Sequence, residues 1–385
     1  MQLKKDMELE LQTFDLEDVE RLSEPIFETC LSYLNSNLAN TKLEKIDVKY
    51  NVGFFDDDRV SAYADKNEEG YIVKINMSTW FIIYSFCHCI VMQPIVGAAL
   101  SFNNEMSQES KTKYADMLTI MMMKILFYHE LGHIFNGHID YIKDKEAEYI
   151  KNNPNYLSKN ENAFSYEGRK ARPFVSAEMW QALEWNADDF AASRMVGQYT
   201  FDENIQCLEL TGKEHGLFLL IVAYVALFTL MEMGVKVLKP KEYKDKEHLP
   251  KRIRLNKSIE SMFAAYKELN LLKISVDVSE VEKKYVPCIE GWTEAFMRTY
   301  FKDYDVLNLR TDTNIDELDE QHMNYYRRVD NFYARNLIKE LAPYTYCEVY
   351  DAKTTVKGAL LNLVSNITGE DINEIELEYV IGKLE

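Results

Sequence analysis

The most informative segment of the sequence runs from Met117 to Gly137 and reads MLTIMMMKILFYHELGHIFNG. Its first half is almost wholly apolar, and the spacing of the apolar residues predicts a helix that begins near Lys111. Asn136-Gly137 is typical of a helix C-terminus, because glycine readily adopts the left-handed conformation that ends a helix. Such a helix has little reason to bury three ionisable side chains unless something compensates for their lost hydration. These side chains are His129, Glu130 and His133.

The three ionisable residues form the pattern His-Glu-x-x-His. Residues four apart lie on one helix face about one turn apart, so the imidazoles of His129 and His133 predict a pair of zinc ligands. Neutral imidazole suits zinc, at a bond length of about 2.0–2.1 Å. Glu130 is rotated by about 100° from His129. Its carboxylate is therefore predicted to act on water as the general base rather than to bind the metal.

A catalytic zinc ion takes three protein ligands and keeps one position open, so a third ligand is expected on another helix. Glu184 is the predicted ligand, at the start of the sequence EWNADDFAA. Asp188 lies one turn later on the same face and is predicted to accept a hydrogen bond from a ligating histidine. The alternative is a solvated acidic helix face. The small residues that would let the two helices approach closely are Ala187, Ala191 and Ala192.

Three other patterns are weaker metal candidates. The HExxHxxGxxH spacing places its third histidine at position 139, where this chain has Ile139. His138 is therefore predicted to be a cap or a hydrogen-bonding partner near the site, with metal ligation as the alternative. The segment Cys87-His88-Cys89 lacks a second ligand pair at zinc-site spacing, so buried thiols are predicted there. The run Asp312 to Asp316 lacks the glycine and glutamate of a calcium loop and predicts a turn.

The motifs HELGHIFNGH (129–138) and ExxAD-x-FAA (184–192) together resemble the gluzincins, zinc peptidases whose third metal ligand is a glutamate. The resemblance is to the HtpX and CAAX-prenyl-protease superfamily, the ImmA/IrrE group and the Lit-type phage-exclusion peptidases. The upstream sequence VSAYADKNEEGYIVKIN (60–76) is similar to the sheet edge that precedes the motif helix in HtpX-like enzymes, with Ser61 where that family usually has asparagine. The resemblance implies a zincin-like fold and a zinc cofactor.

A third element is similar to the HP-x4-R-I segment of the same family. It reads HLPKRIRL from His248 to Leu255, with the proline displaced by one residue. The resemblance implies that His248 and Arg254 line the site and stabilise the oxyanion of the tetrahedral intermediate. His215 is the competing candidate for that role, and a plain basic linker is the alternative for the segment. The resemblance covers roughly residues 58–255.

The predicted fold is α+β, a zincin-like domain with a small antiparallel sheet packed on the HExxH and ExxAD helices. Strands are predicted over 45–52, 59–65 and 69–78, and a helix start at Ser23-Glu24-Pro25. Residues 140–173 are polar and predicted to be irregular. The predicted domains are an acidic helical segment (1–43), the metallopeptidase domain (44–238), a basic segment that completes the site (239–257) and a mainly helical C-terminal domain (258–385).

Composition restricts the partners and the setting. The chain has 385 residues and a formal charge of −19, which repels phosphate backbones, so nucleic acid is not an expected partner. The six cysteines form no CxxC pair, which is typical of free thiols and predicts a cytoplasmic location. The uncharged stretch Gly216–Met231 is shorter than the roughly 20 residues of a membrane span and predicts a buried core helix, with a membrane helix as the alternative.

Together these observations predict a zinc-dependent metalloendopeptidase acting on a protein or peptide substrate, in a defence, toxin or regulatory context. The substrate backbone is expected to pair with a sheet edge at residues 61–64 or 70–76. Two alternatives stay open. One is a catalytically silent zincin scaffold that acts as a binding protein, and the other is a membrane-associated HtpX-like protease anchored through residues 216–231. The sequence specifies neither the substrate nor the oligomeric state.

Overall fold

The fold is known from a computed structural model, which describes residues 2–3, 16–37, 45–53, 60–91, 108–153, 173–201, 213–232, 251–268, 289, 296, 301–302 and 327–346. The main helices are α1 (Leu16–Asn37), α2 (Met77–Val91), α3 (Gln108–Phe135), α4 (His138–Asn152), α5 (Ala177–Phe201), α6 (Lys213–Glu232) and α7 (Lys251–Glu268). The strands are β1 (Gln2–Leu3), β2 (Val48–Gly53), β3 (Ala62–Asn67), β4 (Gly70–Asn76) and β5 (Phe301–Lys302). The protein is therefore mostly helical with a small sheet, an α+β fold.

The last described part is called the C-terminal segment, residues 327–346. Residues 327–332 are helical and continue through a π-helical turn, Tyr333–Leu337, into a short helix, α8 (Ile338–Leu341). The predictions made for His248, for the rest of residues 239–250 and for Asp312 to Asp316 lie outside the described residues.

The three-stranded sheet is mixed, so the prediction of an antiparallel sheet is wrong. Its strand order is β2-β4-β3, with β4 parallel to β2 and antiparallel to β3. The central position suits β4 because Tyr71, Ile72, Val73 and Ile75 are all buried, and a strand between two neighbours needs apolar residues on both faces. The more polar strand β3, AYADKN, lies at the edge.

This strand order decides between the two predicted substrate edges. The backbone of β4 is paired on both sides, with β2 and with β3. Residues 70–76 therefore offer no open edge, and that part of the prediction is wrong. Strand β3 has one neighbouring strand within the described sheet, and it contacts α3. Only residues 61–64 remain as a candidate edge.

Helix α3 is the central helix of the core. It contacts α1, α2, α5 and α6 as well as the sheet, and it is buried almost continuously from Leu118 to Phe135. A Cβ built on Gly132 would lie 3.3 Å from Ala187 Cα and 3.2 Å from Phe190 Cδ1. The missing side chain of Gly132 and the small Ala187 thus let α3 and α5 approach closely, as the sequence predicted for Ala187.

Two local predictions fail because tertiary packing outweighs local signals. Helix α1 continues through Ser23-Glu24-Pro25, where a helix start was predicted. The Ser23 hydroxyl donates to the Val19 carbonyl oxygen at 2.5 Å inside the helix, and Phe27 holds the following turn in the core. Residues 140–152, the first part of the stretch 140–173 that was predicted to be irregular, lie in α4, whose first turns bury Tyr141 and Ile142 against the C-terminal segment.

Helix α6 packs within the protein core. Its side chains from Leu219 to Phe228 are buried in the same hydrophobic cluster as α3. No helix in the described part of the chain is long and apolar enough to cross a membrane. The described cysteines, Cys30, Cys87 and Cys89, are free thiols.

The C-terminal segment docks on the end of α3. The Tyr346 amide donates to the Phe135 carbonyl oxygen at 2.8 Å, and the Thr345 hydroxyl donates to the same oxygen at 3.2 Å. Gly137 has a φ of +75°, which fits the predicted helix terminus, and a Cβ at this position would lie 2.5 Å from the Tyr344 backbone. Residues far apart in sequence therefore meet beside the HExxH motif.

Candidate metal centre

Three buried side chains from α3 and α5 converge on one point. His129 Nε2 lies 3.2 Å from His133 Nε2. Glu184 Oε2 lies 3.4 Å from His129 Nε2, and Glu184 Oε1 lies 3.4 Å from His133 Nε2. The exposed fractions of the three residues are 9%, 2% and 5% respectively. The arrangement is a possible metal site, with one ligand atom from each residue within 4.8 Å of the others.

The donor set fits a small tetrahedral ion. Four ligands at about 2.0–2.1 Å from a tetrahedral centre lie about 3.3 Å from one another, which is close to the 3.2 and 3.4 Å separations between these atoms. Two imidazole nitrogens and one carboxylate are the ligand types that zinc prefers. The three residues would hold the ion and leave the fourth tetrahedral position for another ligand.

His129 is supported by a charged pair. Its Nδ1 lies 2.9 Å from Asp188 Oδ1, which is an ion pair when the His129 ring is protonated. Asp188 is itself held by Arg254, which donates from Nε at 2.6 Å and from Nη2 at 2.7 Å. Burial opposes the charged form of His129, but Asp188 and Glu184 outweigh it and raise the pKa of His129 to about 9. Burial likewise opposes the Asp188 charge, yet Arg254 lowers the pKa of Asp188 to about 2.

His133 is supported by neutral groups instead. Its Nδ1 lies 2.9 Å from Nδ1 of His138, and His138 Nε2 lies 2.9 Å from the side-chain oxygen of Asn186. Burial lowers the pKa of His133 below its usual value, and it lowers the pKa of His138 much further. Both rings are therefore uncharged near neutral pH, as metal coordination requires, whereas His129 would have to release its proton when a metal binds.

Glu130 lies on the same helix and faces the sheet. It is 6% exposed, and its carboxylate accepts a hydrogen bond from the backbone N–H of Ala64 in β3. Burial raises the pKa of Glu130 to about 7, and the nearby Glu184 adds to the increase, while His129 and Arg254 oppose it. A carboxylate poised near neutral pH is suited to proton transfer.

The structure brings most of the predicted residues together. Arg254 is 2% exposed, and besides its bonds to Asp188 its Nη1 lies 3.4 Å from Glu184 Oε2. Its immediate contacts are thus to two carboxylates of the site, and its predicted part in oxyanion stabilisation stays a prediction. His248 lies outside the described residues, and so does the side chain of His215.

Sequence reasoning missed the groups around His138. Asn186 accepts from His138 and also from Asn136 Nδ2 at 2.6 Å, and it donates to the Tyr333 hydroxyl at 2.8 Å. Asn186 stands two residues after Glu184 within the second motif, so the motif contained a signal for it. Nothing local points to Tyr333, because it is 147 residues away from its partner Asn186.

Comparisons with known proteins add no relative. No protein-family model matches the chain, and neither a curated protein nor a solved structure matches it. The assignment of function therefore depends on the geometry and chemistry of the site.

Proposed function

We propose that the protein is a zinc-dependent metalloendopeptidase that hydrolyses peptide bonds of a protein substrate. The observation that carries the proposal is the convergence of His129, His133 and Glu184 within 4.8 Å, beside the buried carboxylate of Glu130 on the same helix. Two imidazoles and a carboxylate match a catalytic zinc site with one open position. A neighbouring carboxylate that is not part of the ligand set supplies the base that hydrolysis needs.

The chain's own residues have separate tasks in this proposal. Zinc held by the three ligands would supply Lewis acidity, polarising the scissile carbonyl and making water acidic near pH 7. Glu130 accepts the proton of the attacking water and returns it to the leaving amine. Within the predicted edge 61–64, strand β3 offers backbone groups of residues 62–64 to an extended substrate, because the backbone N–H and carbonyl oxygen of Ser61 are already bonded to Thr79 and Asn76. The Ala64 amide holds Glu130 beside this strand. The proposed substrate is a specific host protein or a regulatory protein.

The first experiment measures metal content. Untagged protein purified without chelators is expected to contain about one zinc ion per chain, because zinc favours this N/O donor set. Glu184→Ala is expected to lose most of the metal, whereas Glu178→Ala, which removes an acidic residue from the first turn of the same helix, should keep it. Zinc well below half-stoichiometric in the wild type, or undiminished in Glu184→Ala, would remove the proposed site.

The second experiment separates metal binding from catalysis. Glu130→Gln is expected to keep its zinc and to lose cleavage by about 10²–10⁴-fold, because an amide cannot accept the proton of water. New protein N-termini are compared by proteomics after expression of the wild type and of Glu130→Gln. Termini that appear only with the wild type identify the substrate. Equal sets of termini from the two proteins would contradict the proposal.

A second candidate function is a catalytically silent metal-binding scaffold. The low exposure of the ligands favours it, since His133 and Glu184 are only 2% and 5% exposed and a catalytic metal must admit its substrate. The scaffold predicts stoichiometric zinc with no difference in N-termini between the wild type and Glu130→Gln. The peptidase predicts stoichiometric zinc together with a difference, so the same pair of measurements distinguishes the two functions.

A further inference from the structure

A chain of buried, neutral hydrogen-bonding groups leads from His133 across α5 to the C-terminal segment. His133 Nδ1 lies 2.9 Å from His138 Nδ1, and His138 Nε2 lies 2.9 Å from Asn186 Oδ1. The same oxygen accepts from Asn136 Nδ2 at 2.6 Å, and Asn186 Nδ2 donates to Tyr333 Oη at 2.8 Å. None of the five residues is more than 4% exposed, so water does not compete for these bonds.

The direction of the protons follows from the donors and acceptors. The amide oxygen of Asn186 only accepts, so His138 Nε2 must carry a hydrogen. His138 is fully buried, and the two hydrogen bonds described above join it to another imidazole and to an amide rather than to a carboxylate, so a charge on its ring would be poorly compensated. Its Nδ1 is therefore bare and accepts a hydrogen from His133 Nδ1. His133 Nε2 is left with its lone pair. This is the atom that faces His129 Nε2 at 3.2 Å and Glu184 Oε1 at 3.4 Å.

We infer that His138 and Asn186 are positioning residues that hold His133 in the tautomer required of a metal ligand, and that Tyr333 connects the C-terminal segment to this support. The inference rests on the proposed metal binding. A coordinating imidazole must offer a lone pair, and the hydrogen bond made by its other nitrogen decides which nitrogen has it. In the opposite tautomer, His133 would carry a hydrogen on Nε2 and could not coordinate.

The first test measures zinc affinity by competition with a fluorescent chelator. His138→Leu removes the acceptor while filling a similar volume, and we expect a loss of affinity of about 10–100-fold. His138→Asn restores a polar group near the position of Nδ1 and should recover most of that loss. Thermal unfolding of each metal-free variant shows whether it is folded. Equal losses in the leucine and asparagine variants, with both proteins folded, would overturn the inference.

The second test compares two tyrosines, Tyr333 within the C-terminal segment and Tyr141 on α4, which contacts that segment. Tyr333→Phe removes the hydroxyl that anchors Asn186, and we expect zinc affinity to fall by about 3–10-fold, less than for a direct partner of a ligand. Tyr141→Phe removes a hydroxyl that donates to Glu340 at 2.5 Å, a bond between α4 and the segment that does not involve His138. This control should bind zinc as the wild type does. Equal losses in the two variants would attribute the effect to general loosening of the segment.

The third test reads the tautomer without any metal. Long-range ¹H–¹⁵N spectra of histidine side chains in chelator-treated wild-type protein should show His133 protonated on Nδ1 and His138 protonated on Nε2, with assignments from the His138→Leu spectrum. His133 protonated on Nε2 alone would overturn the inference even if zinc binds. If the wild type binds no zinc, the proposed function fails, and the spectra still decide whether the tautomers are as inferred.

Discussion

The two histidines of the candidate metal centre are supported by different chemistry on opposite sides. On the α7 side, His129 Nδ1 lies 2.9 Å from the charged carboxylate of Asp188, which Arg254 holds through two hydrogen bonds. On the side of the C-terminal segment, His133 Nδ1 lies 2.9 Å from the uncharged ring of His138, which bonds to Asn186. Both supports leave the Nε2 atoms facing each other.

The difference shows two ways to orient a buried imidazole. A carboxylate attracts a ring proton strongly, but its charge must itself be compensated in the core, which here requires a buried arginine. A neutral chain brings no charge into the core, but each of its groups must be satisfied by the next one. We therefore expect mutations in the charged support mainly to lower the free energy of unfolding. Mutations in the neutral support should mainly change which ring nitrogen of His133 carries the hydrogen.

The largest effect is expected from breaking the charged support at Arg254. Arg254→Met removes the guanidinium that pairs with the buried Asp188 and Glu184, which should lower the free energy of unfolding of the metal-free protein by about 3–5 kcal/mol. Chelator-treated protein is unfolded with urea to measure it.

A surface ion pair supplies the control for this prediction. Arg328 Nε lies 2.6 Å from Glu178 Oε1, the same distance as Arg254 Nε from Asp188 Oδ2, but the Arg328 side chain is 51% exposed against 3% for Arg254. Arg328→Met should cost about 1 kcal/mol or less. Equal costs for the two variants would show that burial does not distinguish the pairs and would weaken the contrast between the supports.

The next effect concerns the pH range in which the charged support acts. Because the pKa of Asp188 is about 2 in the folded protein and about 3.9 in an unfolded chain, its carboxylate stabilises the fold above about pH 4. This contribution is lost as pH falls from about 4 toward 2. Asp188→Asn should therefore cost about 2–3 kcal/mol at pH 7 and less at pH 3. Urea unfolding at pH 7, 5 and 3 measures the difference, and a constant difference would contradict the assignment.

The same contrast explains what could be predicted from sequence. The three converging side chains and the Asp188 support are encoded by helical spacing, since His129 and His133 are four apart and Glu184 and Asp188 are four apart. The buried helices were predictable for a similar reason, because an apolar run as long as the one before His129 indicates a helix rather than a short strand. Local periodicity therefore accounts for α3, α5 and the cluster of His129, His133 and Glu184.

The neutral support and the sheet were not predictable, because both depend on long-range packing. Tyr333 reaches Asn186 over 147 residues, with no local pattern that pairs them. The strand order was also missed, because short loops favour a meander whereas the apolar sequence of β4 requires the central position. Pairing between distant segments is decided by how well their surfaces fit, which no short window of sequence contains.

A further effect should follow from separating the C-terminal segment from α3. Gly137 and Gly70 both have positive φ, +75° and +118°. A Cβ at Gly137 would lie 2.5 Å from the Tyr344 backbone, whereas a Cβ at Gly70 meets nothing within 4 Å. Alanine at either position strains the backbone by about 1–2 kcal/mol, and Gly137→Ala should cost about 1–3 kcal/mol more through overpacking. Urea unfolding of both variants measures the excess, and equal costs would mean that the segment moves aside freely.

The smallest effect tests whether the His138 ring stays uncharged in the folded protein below about pH 6.5. Burial first, and then the neighbouring His133, hold the pKa of His138 far below its usual value. In the unfolded chain the His138 ring takes up a second proton near pH 6.5, whereas in the folded protein it does not. His138 therefore lowers the free energy of unfolding of the wild type as pH falls below about 6.5. His138→Leu has no imidazole to protonate. The free energy of unfolding of the wild type should therefore fall by about 1 kcal/mol relative to that of His138→Leu between pH 7 and pH 5.5. The difference for Tyr141→Phe should stay constant over that interval, because burial raises the pKa of Tyr141 above its usual value and its hydroxyl keeps its proton in both folded and unfolded chains there. Urea unfolding of the three metal-free proteins at both pH values makes the comparison. If the His138→Leu difference stays constant too, His138 is not the buried neutral ring on which this support depends.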